Sequence, residues 1–362
     1  MPSWTRGSAL TEIDHSTDTD LELDTTEAHP EQIAHAIETN TDADLTGLTL
    51  RDESEGVGGE SLSPFRLALR HYRRNRTAMI SLVILTLMVV LCLFPSIPAR
   101  YGEAERLPKT ATTYIYSPPS KAAWFGTDDL NRDLYSRVFY GGQVSILIGI
   151  AVAIIACTVG TIVGALAGYR GGRLDDILMR ITDIFLAFPI LVSLLVLRNV
   201  LAEIPVFSQV MGDKTSVRFM VLLLSAVGWM AVARIVRGVV LSLKEREFIE
   251  ASRSVGASGR RIMFKHLIPN AMGPIMVSMS LSVVGAILAE STLSFFGYGP
   301  NPGAGRTTWG LLIAQSKNTV LSGYWWLVVF PCAFLVITVV CINFVGDGLR
   351  DAFDPKADMS RA

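Results

Sequence analysis

Six apolar runs alternate with polar segments along this chain, at 77–94, 143–169, 181–201, 219–240, 267–289 and 327–345. About 20 mostly apolar residues cover the ~30 Å of a bilayer's hydrocarbon core, so each run predicts one spanning helix. The predicted fold is all-α, a polytopic membrane protein with six transmembrane helices. Gly160, Gly164 and Gly168 recur at i, i+4 and i+8, which puts them on one face and predicts close helix packing. Pro189 predicts a kink in the third span. Arg198 near one end of that span, and Arg234 and Arg237 at the end of the fourth, are expected to snorkel to the interface. Asp176, Arg180 and Asp183 are spaced to pair along one helix face. The fifth span carries no charge, and Glu290 closes it. Tyr324, Trp325 and Trp326 look like an interfacial aromatic belt ahead of the sixth.

The polar segments set the orientation. A basic cluster, Arg66, Arg70, His71, Arg73, Arg74 and Arg76, precedes the first span, and Pro95 and Pro98 follow it. Basic residues recur at 170–180, at 234–265 and in the tail at Arg350, Lys356 and Arg361, whereas the short loop 202–218 holds only Lys214 and Arg218. Spanning proteins keep Lys and Arg on the cytoplasmic side, so both termini are expected there, with 99–142 and 298–323 outside.

Composition agrees with the pattern. Half of the 362 residues are hydrophobic and the mean hydropathy is +0.40, too apolar for an ordinary soluble domain. The net charge of -1 conceals an asymmetry. Residues 1–60 hold 15 acidic and two basic side chains, which leaves 18 of the 33 acidic and 30 of the 32 basic residues for the rest. The first 60 residues lack the basic start and apolar run of a signal peptide and are expected to be a mostly disordered cytoplasmic extension, with a marginal helix at 32–38. The basic remainder flanks apolar spans, so it points to a membrane and not to nucleic acid. Cys92, Cys157, Cys332 and Cys341 all fall in apolar runs and are expected to be packing thiols, neither disulfides nor metal ligands. No Walker A sequence is present.

Two polar segments carry candidate chemistry. In 243–270, helix formers from Lys244 to Val255 are interrupted by Gly256 and Gly259. Arg260 to Leu267 can form a second short helix, and Pro269 suits the first turn of a new one. Small residues at Ala251, Ser252, Gly256 and Ala257 would let another protein's backbone come close. The plain alternative is a basic loop retained at the membrane surface. In 124–133, Gly126, Thr127, Asp128, Asp129, Asn131, Arg132 and Asp133 place three carboxylates around one Arg. That set suggests a cation site or, preferred here, a salt-bridged turn in which Arg132 pairs with Asp128, Asp129 or Asp133.

The spacing Glu250-Ala251-Ser252, Gly256, His266-Leu267-Ile268-Pro269 resembles the "EAA" loop of ABC-importer permeases. Ser252 stands where that pattern has its second Ala, and Ile268 where Leu is usual. The stretch 126–133 resembles the Gly-Thr-Asp-x-x-Gly-Arg-Asp of the dipeptide/oligopeptide/nickel branch. Asn131 replaces its Gly but tolerates the same left-handed bend. Ile181-Thr182-Asp183, the run 290–297, Trp309-Gly310 and the ending 346–351 are also similar to that branch. For 290–297 two readings stay open, a gate or substrate-path element and an interfacial helix end.

The resemblance spans about 65–356 and implies the type I importer permease fold. It divides the chain into an acidic extension (1–60), an amphipathic segment with the first helix (61–98), an external loop (99–142), a five-helix core (143–351) and a tail (352–362). Within the core, the cytoplasmic loop 243–269 would couple to an ATPase through Glu250, Ala251, Ser252, Gly256, His266 and Pro269. The turn at Gly126, Thr127, Asp128, Arg132 and Asp133 would be a family motif. The implied partners are a second permease subunit as heterodimer, two ATPase subunits, an extracytoplasmic solute-binding protein and membrane lipid. No nucleic acid, metal, cofactor or catalytic residue is implied here, since ATP would be bound by the partners. The implied cargo is a di- or oligopeptide, with nickel, an oligosaccharide or another solute as alternatives. A stand-alone secondary transporter would place ionisable groups at mid-membrane, but the charges here lie near span ends. The expected location is the plasma (inner) membrane, multi-pass.

Overall fold

The computed structural model describes residues 64–109, 113–205, 215–300 and 307–353. The acidic extension, Lys214, Lys356 and Arg361 therefore lie outside the described residues, as does the expected helix at 32–38. Among the described residues every regular element is helical, and only two isolated bridges, Arg106 with Arg132 and Thr127 with Asp133, pair extended backbone.

Two helices open the described chain: α1 (Pro64–Arg74) and α2 (Arg76–Leu93), the latter capped by Asn75, whose side chain accepts from the Ala78 amide. α3 (Leu134–Arg170) follows the long loop. Its 37 residues rise about 55 Å, more than a bilayer core. The helix starts nine residues before the predicted span because Asp133 caps it and the charge of Arg137 is neutralised by Asp128. α6 (Val217–Leu243) and α12 (Trp326–Phe353) also outrun their predicted spans, whereas α10 (Met272–Phe295) is shifted, starting five residues after the predicted 267 and ending six after 289. Among the described residues, five helices are thus long and apolar enough to cross a membrane.

The third predicted span differs. It is not one kinked helix but two, α4 (Gly172–Leu186) and α5 (Ile190–Glu203), meeting at 100°. Pro189 lies outside both, with ψ 126°, as the residue that starts α5. A proline disfavours helical backbone in the residue before it, so the chain breaks here instead of bending. The charges of α4 also pair differently from the intrahelical pattern. Asp175 accepts from Arg237 Nε at 2.5 Å and from a second guanidinium nitrogen at 2.6 Å. Asp183 pairs with Arg234. Arg234 and Arg237 therefore fasten α4 across the end of α6 and do not snorkel. Arg198, expected to reach outward, is only 6% exposed and sits over the Tyr298 ring at 5.2 Å.

The centre of the bundle is the α3–α6 seam. A Cβ at Gly160 would lie 2.7 Å from the Trp229 carbonyl oxygen, and one at Gly168 would lie 2.9 Å from that of Arg237. Between them Gly164 faces the Ala233 carbonyl more closely still. Three glycines thus meet three carbonyls in the same four-residue rhythm, which only a missing side chain permits. One apolar cluster joins α2, α3, α10 and α12 around Trp309. Another joins α3, α5 and α6 around Phe219. Cys92, Cys157 and Cys341 are buried and all four thiols are free. Of the expected aromatic belt, Tyr324 stacks on Tyr116 at 4.6 Å and Trp326 is buried, which leaves Trp325 exposed.

Gly164→Leu is expected to part α3 from α6 and abolish recovery of folded protein. Gly238→Ala, with nothing within 4 Å of the added carbon, is expected to leave the thermal midpoint in detergent unchanged. Equal midpoints for both variants would refute the seam.

Candidate functional site

At one end of the bundle, α6 runs into a compact helical loop. α7 (Glu247–Ser254) carries Glu247 and Glu250 in its first turn, where the helix dipole favours acids. It ends in a paired C-terminal turn: the Ala257 amide donates to the Ser252 carbonyl at 3.1 Å, and that of Gly256 to the Arg253 carbonyl at 2.9 Å. This Schellman arrangement needs a left-handed residue, and Gly256 supplies it with φ +80°. Ser258 then caps α8 (Gly259–Ile262), which widens into a π turn (Met263–Leu267) just before α9 (Ile268–Asn270). Pro269 in α9 has no N–H to give to the ladder.

Ile249, Ile262, Met263 and Leu267 are buried with Val236 and Val240 of α6 and Ala165 of α3. Tyr169 packs under Gly259, and Arg253 lies over the same ring at 5.7 Å. The loop is therefore pinned from below, while its outer face is left open. Glu250, Ala251, Gly256 and Pro269 are exposed, and Ser252 and His266 are half-buried. The Ser252 hydroxyl donates back to the Phe248 carbonyl at 2.8 Å. Sequence reasoning missed the apolar part of this face: Val255 is 89% exposed, and Phe248 and Phe264 are exposed beside it. Branched and aromatic residues on both sides of a glycine turn were the available signal.

The second candidate lies at the opposite end, where Gly126 packs against Trp326. Asp128 is its centre. One carboxylate oxygen accepts from the Leu130 amide at 2.9 Å and the Arg132 amide at 2.8 Å; the other accepts from Arg132 Nε at 2.7 Å and from Arg137. Asp129, 3.6 Å from Arg132, is exposed. Asp133 joins no ion pair here; it caps α3 by accepting from the Ser136 amide at 2.9 Å and hydroxyl at 2.6 Å. Burial pushes the Asp133 carboxyl above the usual carboxylate range, against the opposing pull of those bonds. Asn131 adopts the left-handed backbone at φ +58° and donates to the Leu107 carbonyl at 2.7 Å. Thr127, buried, donates to the Tyr114 carbonyl at 2.5 Å. The cluster holds the loop 99–133 on the end of α3. The sequence did not reveal Arg137, because it sits inside an otherwise apolar run.

Glu290, expected to end the fifth span, lies inside α10 and is fully buried. The end of the run 290–297 differs from it: Phe295 and Phe296 at the end of α10 are exposed. The chain re-enters the bundle beside it at Thr307, Thr308 and Trp309, all buried, and then forms α11 (Trp309–Ser316).

Long apolar helices, with a helical loop at one end and a buttressed loop at the other, define a polytopic membrane protein. A family profile described as the binding-protein-dependent transport system inner membrane component matches residues 160–359. A second, the N-terminal TM domain of oligopeptide transport permease C, matches residues 63–119. The oligopeptide transport system permease protein OppC of Bacillus subtilis (strain 168) is 41% identical over 305 residues, 84% of this chain and 93% of that protein. The dipeptide transport system permease protein DppC of the same strain is 38% identical, with 84% and 89% covered. OppC of Mycobacterium tuberculosis (strain ATCC 25618 / H37Rv) is also 38% identical, with 80% and 94% covered. The chain belongs to the ABC-importer permease family of binding-protein-dependent inner-membrane components, in its dipeptide/oligopeptide/nickel branch. It is a multi-pass membrane permease subunit.

Asp128→Asn is expected to leave Arg137 buried without its ion-pair partner and Arg132 with only the 3.6 Å contact to Asp129, at a cost of about 3 kcal/mol or more. Asp129→Asn, at the exposed 3.6 Å contact, should cost under about 0.5 kcal/mol. Thermal unfolding of the two variants side by side checks this, and similar losses would contradict the assignment.

Proposed function

We propose that the chain imports di- or oligopeptides as one half of a permease heterodimer, powered by two ATPase subunits that seat on the α7–α9 loop. The observation that carries this reading is the loop's two-sided construction. Four buried apolar side chains fix it to α3 and α6, while Glu250, Ala251, Val255 and Gly256 stand clear of the bundle. A loop held this rigidly passes a push from a docked partner to α6 and α10 instead of absorbing it. Ser252 supports the turn from within α7, and His266 and Pro269 form its return to the membrane. ATP is bound and hydrolysed on the partners, so this chain supplies contacts and a path, and needs neither a catalytic group nor a cofactor.

The second permease subunit would cover the apolar surface left on α5 and α6. A groove of about 280 Å³ opens there, lined by Leu194, Leu224, Val227, Ile235, Leu281 and Gly285 among others. Ile184, Phe188, Val192, Val196 and Val200 are exposed along the neighbouring bend. The basic α1 and the α7–α9 loop gather at one end of the bundle, which supports placing that end in the cytoplasm with both termini. The opposite end, with the loop 99–133, would then face the solute-binding protein. The cargo follows the relatives, whose names are those of oligopeptide and dipeptide permeases.

The test is purification of this chain expressed with its partner subunits, followed by ATPase assay with peptide and binding protein. Co-purified ATPase activity stimulated by peptide is expected; stimulation by nickel or a sugar instead would reassign the cargo. Gly256→Asp should still insert and fold but lose ATPase co-purification and uptake, because the left-handed turn is strained and the docking face gains a charge. Glu250→Ala should be milder, as a single exposed charge contributes little. Normal uptake by the Gly256 variant would sink the docking role.

A further inference from the structure

Among the described residues no basic side chain pairs with Glu290, yet it is completely buried. A carboxylate in that position must be satisfied by other donors. Four hydroxyls from three elements provide them. Oε1 accepts from Ser294 and Thr308, each at 2.7 Å; Oε2 lies 3.3 Å from Ser145 of α3 and 3.4 Å from Ser291. Two of these hydroxyls are relays. Thr308 Oγ1 accepts from the Leu311 amide at 3.0 Å, and Ser145 Oγ accepts from the Trp309 amide at 3.1 Å. The carboxylate thus receives, through one hydroxyl each, the free N–H groups at the start of α11, where the helix dipole is positive.

The position of this network along the helix gives it a role. α10 starts at Met272, two residues after the coupling loop ends, and Glu290 lies five turns further on. In between, α10 is uninterrupted, so the two ends move together. Trp309 completes the joint: its indole is fully buried, donates to the Val138 carbonyl at 2.8 Å, and packs on Gly142.

We propose that Glu290 is a positioning residue for transport: it locks the re-entrant segment 307–316 to the far end of α10, so that displacement of the α7–α9 loop is delivered to the extracytoplasmic face. This rests on the coupling role proposed above for that loop. A purely structural carboxylate would affect folding and yield but not the response to ATP. A transmitting one must alter how 307–316 responds to ATP in complexes that do assemble.

The experiment uses the complete transporter in nanodiscs. Hydrogen–deuterium exchange is followed at 247–270 and at 307–316, without nucleotide and in an ATP-trapped state. Both segments of the wild type are expected to change on ATP binding. In Glu290→Gln the change at 247–270 should persist. The segment 307–316 should exchange about tenfold faster in both states and ignore ATP, as expected when a buried acceptor is weakened. Solute moved per ATP hydrolysed should fall by a similar factor. Should Glu290→Gln fail to assemble, Thr308→Val removes one donor and keeps the carboxylate, and a partial loss of the same response is expected. A wild-type ATP response at 307–316 in either assembled variant overturns the inference. A wild-type complex that changes at 247–270 but not at 307–316 overturns it alone. No ATP-dependent change at 247–270 overturns the coupling reading, and this inference with it.

Discussion

Three glycines of α3 meeting three carbonyls of α6 set the geometry on which the rest of the bundle depends. In a membrane, apolar burial cannot drive two helices together, because lipid is as apolar as a side chain. Close contact must come from shape, and the run Gly160, Gly164 and Gly168 provides it. The seam leads directly to the coupling loop. Just beyond it, Lys244 donates to the Gly168 carbonyl at 3.4 Å, and Tyr169 packs beneath Gly259. The buried side chains of α7 and α8 rest on the same two helices. The loop is therefore attached where the bundle is least compliant, which is the mechanical requirement for a site that receives force.

Charge follows the same economy. Each buried or half-buried ionic group is matched by the nearest available chemistry, and the match tells what the group does. Asp128 gathers two arginines and two amides and so fixes an extended loop. Asp175 and Asp183 clamp α4 to α6 across a break that would otherwise leave α4 held only at Gly171. Glu290 uses hydroxyls alone. Its four donors come from α3, α10 and the start of α11, so one carboxyl group ties three elements together at a single point.

Much of this was legible in the sequence. Apolar length marked the spans, the glycine rhythm marked the seam, and Gly256, Gly259 and Pro269 marked the breaks of the helical loop between α6 and α10. What was missed shares one physical origin: pairing across elements distant in sequence. Spacing shows which residues can pair within a helix, and it suggested Asp176–Arg180–Asp183. It cannot show that Arg234 and Arg237 arrive from fifty or sixty residues away. Glu290 was misplaced for the same reason, since a charge looks like the end of a span until its distant partners, here Ser145 and Thr308, are known. Pro189 illustrates a local limit. The residue predicted a disturbance of the helix, and its restriction of Phe188 makes that disturbance a break, which the pairing of Asp175 with Arg237 accommodates by holding α4 across the end of α6.

The two ends of the molecule differ in how their loops are held, and the difference follows from what each must do. The α7–α9 loop has an apolar underside and an outer face with few internal bonds, so its exposed surface stays available to a partner. The opposite loop turns its polar groups inward on Asp128, Asn131 and Asp133, and its surface becomes a firm shelf. Between them α10 runs unbroken, with one end at the docking loop and the other at Glu290. α3 contributes both Ser145 to that joint and Gly160–Gly168 to the seam, so the one helix supports α10 and α6 alike. A single helix therefore spans the distance between the two ends, packed on the way against α3 through Ile287 and Gly149.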